Sequence, residues 1–284
     1  MTPEPISQTT LPRNALTVDV EDWFQVSAFD GHLARSAWTG CESRVERNTG
    51  SLLELLATLG LRATFFTLGW VAARHPHLVR AIAAAGHEVA SHGFDHRRVG
   101  SLGPAEFYAD VRRSRLLLED VAGVPVRGYR APSFSLQPDD ARAYGLLAEA
   151  GYRYSASVAP IRHDHYGAPD AARHPWRTAS GVTEIPVSTV RLGRRNWPCA
   201  GGGFFRLYPY ALTRWCLRRI NEAEGLPCNF YLHPWEIDPD QPRVPGLSPR
   251  TRVRHYLNLS RTLPRLRRLL QDFDWGRMDE VYAA

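Results

Sequence analysis

The chain has 284 residues, of which 44% are hydrophobic and 23% are charged, an ordinary composition for a globular protein. Its net charge is +6 and all 35 basic residues are arginine. The sequence contains no recognisable nucleic-acid-binding module, which argues against a nucleic-acid partner. It also has no run of eighteen apolar residues and no secretory signal, which predicts a cytoplasmic protein without a transmembrane segment.

Short apolar runs alternate with amphipathic segments along the chain, which is the pattern of parallel strands joined by helices. The predicted strands are 15–20, 63–68, 87–91, 127–131, 152–157, 182–190 and 229–233. The predicted helices are 51–59, 71–85 with a break near Pro76, 104–121, 138–150, 209–223 and 250–272. The sequence therefore predicts an α/β barrel of about seven parallel strands. Its single domain spans residues 15–284, after an N-terminal extension of residues 1–14 and with a C-terminal extension from about residue 234.

Polar residues cluster at the carboxyl ends of several predicted strands, where the active sites of parallel α/β barrels lie. Each alone has a simpler interpretation as a helix cap, a surface imidazole or half of a structural ion pair. Their joint placement favours a functional site. They are Asp19, Glu21 and Asp22 after the first strand, His92 and His96 after the third, Arg130 on the fourth and His233 at the end of the last.

Two of these histidines have the spacing of metal ligands. His92 and His96 lie four residues apart, so that both imidazoles can face one point. With one carboxylate they make a three-ligand site that leaves positions open for water and substrate. A two-residue step along a strand keeps Glu21 on the face of Asp19, which favours Glu21 as the carboxylate ligand. If the strand ends at Asp19, Asp22 can serve instead, and both acids remain candidates.

These segments resemble the motifs of the polysaccharide deacetylases with a NodB-homology domain, carbohydrate esterase family 4. The matching segments are Thr17-Val18-Asp19-Val20-Glu21-Asp22, Ser91-His92-Gly93-Phe94-Asp95-His96, Arg130-Ala131-Pro132 and Leu232-His233. Longer signatures are similar to the subgroup found beside exosortase and exopolysaccharide genes; they lie at 18–24, 201–206 and 233–238. The resemblance covers nearly the whole chain and implies a distorted (β/α) barrel of the NodB-homology type.

The resemblance implies a metal-dependent hydrolase that removes N-acetyl groups from hexosamine units of a polysaccharide or of its lipid-linked precursor, together with other enzymes of exopolysaccharide biosynthesis. The implied metal is Zn²⁺, with Co²⁺, Ni²⁺ or Mn²⁺ as alternatives, bound by His92, His96 and either Glu21 or Asp22. The implied catalytic residues are Asp19 as the general base, Arg130, which orients Asp19 and keeps it ionised, and His233 as the general acid.

Several residues beside these motifs are predicted to contact substrate. Trp23, Phe24 and Trp235 can stack against pyranose rings, although plain core packing explains each of them equally well. Pro132 and Ser133 are predicted to face the substrate, in a segment whose backbone N–H can bind the oxyanion.

Other features of the sequence carry weaker signals. The Asp and Trp that tune the catalytic histidine in this family have no clean match here, where residues 154–157 stand in the corresponding region. Seven further histidines are predicted to have no role in the site. They are His163, His165 and His174 in an irregular stretch, and His32, His75, His77 and His255, which are predicted to face solvent.

Two other functions fit the same residues. One is a metal-dependent amidase or esterase that acts on a small substrate in the same fold. The other is a relative that binds polysaccharide without cutting it. The retention of Asp19, His92, His96, Arg130 and His233 argues against the second.

Overall fold

A computed structural model describes residues 11–164 and 166–283. Most of the predicted N-terminal extension, residues 1–10, and His165 therefore lie outside the described residues.

A curled, mostly parallel sheet forms the centre of the fold. Its order is β10-β1-β2-β3-β4-β5-β7-β6, with β11 paired to β1, and every pairing from β10 to β7 is parallel. β6 is antiparallel to β7, and β8 and β9 form a separate antiparallel hairpin. The predicted α/β barrel of about seven parallel strands is confirmed. The strands are β1 Asn14–Val20, β2 Thr64–Thr67, β3 Glu88–Ser91, β4 Gly128–Tyr129, β5 Tyr154–Ser155, β6 Trp176–Arg177, β7 Thr183–Glu184, β8 Thr189–Leu192, β9 Arg195–Pro198, β10 Asn229–Leu232 and β11 Trp275–Gly276.

The two sides of the barrel between β7 and β10 are joined without a strand ladder, by side-chain hydrogen bonds and by the Ser188 backbone N–H, which donates to the Asn229 carbonyl at 3.3 Å. The Asn229 amide donates to the carbonyls of Ile185 and Pro186 at 3.3 and 3.2 Å, and the Asn229 backbone N–H donates to Ser188 at 2.8 Å. Pro186 has no N–H to contribute to a ladder. The strand predicted over 182–190 is therefore split into β7 and β8.

Helices surround the sheet. As predicted, the helix after β2 is divided at Pro76, which cannot continue the hydrogen bonding of α2. The helix predicted over 250–272 is also divided, because Asn258 adopts a left-handed conformation with φ 53°. No helix among the described residues is long and apolar enough to cross a membrane. The helices are α1 Val45–Leu59, α2 Gly69–Arg74, α3 Pro76–Ala84, α4 Pro104–Ala122, α5 Ala141–Glu149, α6 Gly202–Leu207, α7 Tyr210–Ala223, α8 Pro249–Tyr256, α9 Leu259–Asp272 and α10 Met278–Val281.

Successive side chains of β1 point alternately to the outer helices and to the barrel interior. Leu16, Val18 and Val20 belong to the large apolar core that packs under the helices. Ala15 belongs to a separate small cluster inside the barrel. Because successive strand residues point to opposite faces, Asp19 lies on the interior face with Ala15. The ends of β1, β2, β3, β4 and β10 are in register, so the residues just beyond them lie close together.

Candidate active site

Glu21, His92 and His96 form a buried cluster where β1 and β3 end. Each contributes one ligand atom, and these atoms all lie within 4.8 Å of one another. His92 Nδ1 lies 2.9 Å from the backbone carbonyl of Arg130. A carbonyl only accepts hydrogen bonds, so Nδ1 carries the proton and Nε2 keeps its lone pair for the cluster. Burial lowers the pKa of His92 to about 4, so this imidazole is neutral at neutral pH, as a metal ligand has to be.

The cluster fits a divalent cation. Glu21 Oε2 is buried and lies 3.0 Å from His96 Nε2, yet within the described residues it has no hydrogen-bond partner. Burial alone would raise the pKa of Glu21, but its interactions with His96 and His233 outweigh burial and hold the pKa well below its usual range. A buried carboxylate oxygen without a donor is costly, and a bound cation would remove that cost. Two imidazoles and one carboxylate are a ligand set found in zinc sites.

Asp22, the other candidate ligand, is not part of this cluster. Its carboxylate caps the short 3-10 helix Trp23–Gln25 and accepts the backbone N–H of Trp23 at 2.9 Å. Its second oxygen accepts from Ser43 Oγ at 2.7 Å and from the backbone N–H of Arg44 at 2.8 Å. The chain turns after Glu21, so of the two acids only Glu21 reaches the histidines.

Asp19 and Arg130 form a buried ion pair beside the cluster. Arg130 Nη1 lies 2.5 Å from Asp19 Oδ1 and 2.8 Å from Thr17 Oγ1, and Nε donates to the carbonyl of Ala156 at 3.0 Å. The guanidinium carbon also lies 4.1 Å from the centre of the Phe66 ring, close enough for a cation–π contact. The predicted contact of Arg130 with Asp19 is present, and it fixes one carboxylate oxygen while Asp19 lines the cleft.

His233 is held by the carboxylate of Glu236, which was not among the predicted site residues. His233 Nδ1 lies 2.7 Å from Glu236 Oε1, and the other oxygen of Glu236 accepts from Arg206 Nε at 3.3 Å. His233 Nε2 faces Glu21 Oε1 at 3.5 Å and Asp19 Oδ2 at 3.9 Å. Burial alone would lower the pKa of His233, but these three carboxylates outweigh it and raise the pKa to about 9. The available signal was a glutamate three residues after the histidine, in a turn that begins with Pro234.

The glycine run 201–203 makes room for this arrangement. A Cβ on Gly202 would lie 1.8 Å from Glu236 Oε2, and one on Gly201 would lie 2.5 Å from the Tyr231 ring. The start of α6 therefore packs directly against the carboxylate that supports His233. A Cβ on Gly203 would meet no atom within 4 Å.

We expect Gly202→Ala to destabilise the protein by about 1–3 kcal/mol, because the added methyl displaces the Glu236 carboxylate in a closely packed region. Gly203→Ala is the matched control; it should leave stability unchanged or raise it by up to about 1 kcal/mol, since alanine favours helix. Thermal unfolding of the two variants beside the wild type measures the difference. Equal midpoints for the two variants would contradict this role of Gly202.

One cleft of about 200 Å³ is lined by the acidic and histidine side chains described above, namely Asp19, Glu21, His92, His96, His233 and Glu236. Of the predicted substrate contacts, Ser133 and Trp235 line it. Pro132, Trp23 and Phe24 are not among the described residues that line it. Trp23 and Phe24 are buried in an aromatic cluster with Trp38, so the structure does not bring these two rings to a position where they can stack on a sugar. That prediction requires correction, because both rings pack into the core.

Two histidines that were assigned no role also line the cleft. His163 stacks on Tyr166 with ring centres 4.2 Å apart. His255 was predicted to face solvent but is buried, and it stacks on Trp235 at 4.3 Å. His174 is exposed and is not among the described residues of the cleft.

The fold and the site define an α/β-barrel protein with a candidate metal centre at the carboxyl ends of its strands. The family model "Polysaccharide deacetylase" matches residues 35–155, and the model "Domain of unknown function (DUF3473)" matches residues 156–283. His92, His96 and Arg130 lie within the first match and His233 within the second, whereas Asp19 and Glu21 precede both.

Curated relatives match about a third of the chain. A chitooligosaccharide deacetylase from Bradyrhizobium sp. is 35% identical over 85 residues, which are 30% of this chain and 39% of that protein. A peptidoglycan-N-acetylglucosamine deacetylase from Bacillus cereus is 29% identical over 84 residues, which are 30% of each chain. The chain thus matches well under half the length of these relatives. The family model and these relatives show that part of the chain is similar to polysaccharide deacetylases.

Solved structures show the same fold. The crystal structure of a candidate polysaccharide deacetylase from Mycobacterium smegmatis superimposes with a TM-score of 0.59 at 23% identity, covering 100% of this chain and 93% of that one. A family 4 pseudoenzyme from Bacillus anthracis superimposes with a TM-score of 0.50 at 15% identity, covering 99% of this chain and 69% of that one.

Proposed function

We propose that the chain is a metal-dependent N-deacetylase that hydrolyses N-acetyl groups on hexosamine units of a polysaccharide or its oligosaccharides. The observation that carries this proposal is the cluster of Glu21, His92 and His96 in one cleft with Asp19 and His233. The names of the relatives, chitooligosaccharide deacetylase and peptidoglycan-N-acetylglucosamine deacetylase, supply the proposed substrate class.

Glu21, His92 and His96 would hold the cation, for which zinc is our first choice. A bound divalent cation supplies Lewis-acid activation of the acyl carbonyl and of water. The neutral state of His92 and the unpartnered oxygen of Glu21 both suit this role. The exchangeable positions of a three-ligand site would face the cleft.

Asp19 would accept the proton of the attacking water. Its Oδ1 is fixed by Arg130, which leaves Oδ2 on the side of His233. The buried guanidinium balances the negative charge of this carboxylate and holds it in one orientation. General-base assistance of this kind is worth about a hundred- to ten-thousandfold in rate.

His233 would donate a proton from Nε2 to the departing amine. Its Nδ1 is bonded to Glu236 at 2.7 Å, which fixes the ring with Nε2 toward Asp19 and Glu21. Trp235 stacks on the same ring with centres 5.1 Å apart. Glu236 therefore takes the positioning role for which the sequence analysis found no residue.

The segment after Arg130 would position the acetyl group. Ser133 and Phe134 have φ values of 55° and 48°, a left-handed conformation that is uncommon for residues other than glycine. Strained backbone of this kind persists where the surrounding structure enforces it, often at active sites. Both residues line the cleft, and we assign them to substrate contact.

We place the reaction in exopolysaccharide biosynthesis, together with other enzymes of that process. The support is the similarity of residues 201–206 and 233–238 to signatures of that subgroup, together with the contacts that these residues make in the site. Gly202 admits Glu236, Arg206 binds Glu236, and Glu236 holds His233. The proposed substrate is accordingly an N-acetylated polysaccharide or its lipid-linked precursor.

Metal removal tests the proposal. Acetate release from chitooligosaccharides is measured before chelation, after chelation and after addition of Zn²⁺, Co²⁺, Ni²⁺ or Mn²⁺. Lewis-acid stabilisation is worth several kcal/mol and each 1.4 kcal/mol is a factor of ten, so chelation should lower the rate about a thousandfold. Metal should restore it.

Other outcomes of these measurements would favour a different function. Hydrolysis of small cyclic amides or acetyl esters, with none of the oligosaccharides, would favour the small-substrate amidase or esterase. Binding of oligosaccharide without acetate release under any metal would favour the non-catalytic relative. Undiminished activity after complete chelation would refute the metal-dependent mechanism.

A further inference from the structure

A second group of metal-ligating side chains lies outside the cleft. Glu46 is in the first turn of α1, His75 joins α2 to α3, and His77 is in the first turn of α3. One ligand atom from each lies within 4.8 Å of the other two. His75 Nδ1 is 2.7 Å from Glu46 Oε2, and His77 Nε2 contacts Glu46 Oε1. Both histidines were predicted to face solvent, but the His75 side chain is only 14% exposed.

A hydrogen-bonded chain behind His75 fixes how this ring can act. Ser43 Oγ lies 2.7 Å from Asp22 Oδ2, an oxygen that also accepts the backbone N–H of Arg44. The Ser43 hydroxyl therefore donates its single hydrogen to Asp22 and can only accept from other partners. The contact of Ser43 Oγ with His75 Nε2 at 3.3 Å then requires His75 to donate from Nε2. A metal-bound histidine typically donates its second ring N–H to an outer partner in this way.

The protonation of His75 at Nε2 determines what its other nitrogen, Nδ1, can bind. With its proton on Nε2, a neutral His75 directs the lone pair of Nδ1 at a carboxylate oxygen only 2.7 Å away. Two lone pairs at that distance need a cation or an additional proton between them. An imidazolium would satisfy the contact with a proton, and a divalent cation would satisfy it while also engaging His77 and the second oxygen of Glu46.

We propose that Glu46, His75 and His77 form a second divalent-cation site, suited to Zn²⁺, with Ser43 as the outer partner that orients His75. Two imidazoles and a carboxylate are the donor types of zinc sites, and water completes the coordination of an exposed site. The site is separate from the reaction, since none of these residues is among the described residues of the cleft. A cation there clamps the start of α1 to the junction of α2 and α3.

The metal content of the full, untagged chain tests this site without relying on activity. Each protein is equilibrated with Zn²⁺, passed through a desalting column and analysed for zinc per chain. We expect His77→Asn and Glu46→Gln to bind one zinc fewer than the wild type. Both replaced side chains are largely exposed, at 61% and 44%, so the variants should fold. His174→Asn, at an exposed histidine elsewhere, should match the wild type.

The readout is the difference of one zinc, and it holds whether or not the cluster in the cleft binds metal. Failure of the proposed function therefore does not disturb this test. Equal zinc content in the wild type, His77→Asn and Glu46→Gln would overturn the site and leave Glu46 paired with imidazolium groups. Loss of zinc from His174→Asn as well would also overturn it, because binding would then be nonspecific.

Ser43→Ala tests the outer partner separately. Loss of such a partner typically costs ten- to a hundredfold in metal affinity, so a zinc titration should show weaker binding with the stoichiometry retained. Zinc should also raise the unfolding temperature of the wild type by more than that of His77→Asn, since a ligand stabilises the state that binds it. Unchanged affinity in Ser43→Ala would remove Ser43 from the site.

Discussion

Replacing Asp19 with asparagine should lower kcat/KM for acetate release by about a hundred- to ten-thousandfold, the range of general-base catalysis. The zinc content of the variant should equal that of the wild type, because Glu21, His92 and His96 remain in place. Asparagine keeps the shape of the side chain but removes its negative charge and its ability to take a proton. Loss of activity with metal retained would separate the base from the metal ligands.

The same substitution has a structural cost that the experiment has to control. Arg130 is fully buried, and its charge is balanced by Asp19. Removing one partner of a buried pair costs about 3–5 kcal/mol, although Thr17 and the carbonyl of Ala156 still accept from the guanidinium. Activity, zinc content and the unfolding temperature are therefore measured on one preparation, well below its unfolding transition.

Asp30→Asn is the matched control for Asp19→Asn. The Asp30 side chain is 46% exposed and only loosely paired with Arg35, at 3.8 Å. Its replacement should change neither the rate nor the stability measurably. A folded, zinc-loaded Asp19→Asn protein that kept more than about a tenth of the wild-type rate would exclude Asp19 as the general base.

The parts of the site that lie at strand ends could be predicted from the sequence. The apolar runs locate the strands, parallel pairing places their carboxyl ends together, and Asp19, His92, Arg130 and His233 follow from that rule. The two-residue step from Asp19 also pointed to Glu21. Local pattern and the direction of the strands therefore determine these positions.

The supporting residues could not be predicted, because their positions depend on long-range packing. Glu236 reaches His233 only because the chain forms a 3-10 turn over Pro234–Ile237. Arg206 reaches Glu236 only because α6 lies against that turn, and nothing in the local sequence of either segment shows this contact. The arrangement of α6, α8, His163 and Tyr166 around the cleft likewise depends on tertiary packing.

The burial of aromatic residues near the motifs could not be predicted from the sequence either. Trp23 and Phe24 directly follow Glu21 and Asp22, just beyond the end of β1. The sequence could not distinguish an exposed ring from a buried one. The structure packs Phe24 against Trp38 and Trp70 at 6.0 and 5.8 Å between ring centres. Trp235 has a similar place in its motif but lines the cleft and donates to Glu21 at 3.1 Å. Proximity to a motif is therefore a weak guide to substrate contact.

Glu21 and Asp22 are neighbours, but replacing each carboxylate with an amide should affect different properties. Glu21→Gln should reduce zinc binding and activity, whereas Asp22→Asn should reduce stability. We expect Glu21→Gln to weaken zinc binding in the cleft by at least about a hundredfold, more than the loss of an outer partner costs. Acetate release should fall about a thousandfold, as after chelation. The metal-free protein should lose some stability as well, because the charge of Glu21 is lost from its contacts with His96 at 3.0 Å and His233 at 3.5 Å.

Asp22→Asn should leave the cleft's zinc and the rate of acetate release nearly unchanged and should lower the free energy of unfolding by about 1–3 kcal/mol. The reason is that the Asp22 carboxylate caps a helix and accepts from Ser43 and from the backbone of Arg44 and Val45. Metal counting is done in the His77→Asn background, so that only the cleft is measured. The reverse pattern, with zinc lost from Asp22→Asn and retained in Glu21→Gln, would assign the carboxylate ligand to Asp22 and require the turn after β1 to rearrange when metal binds.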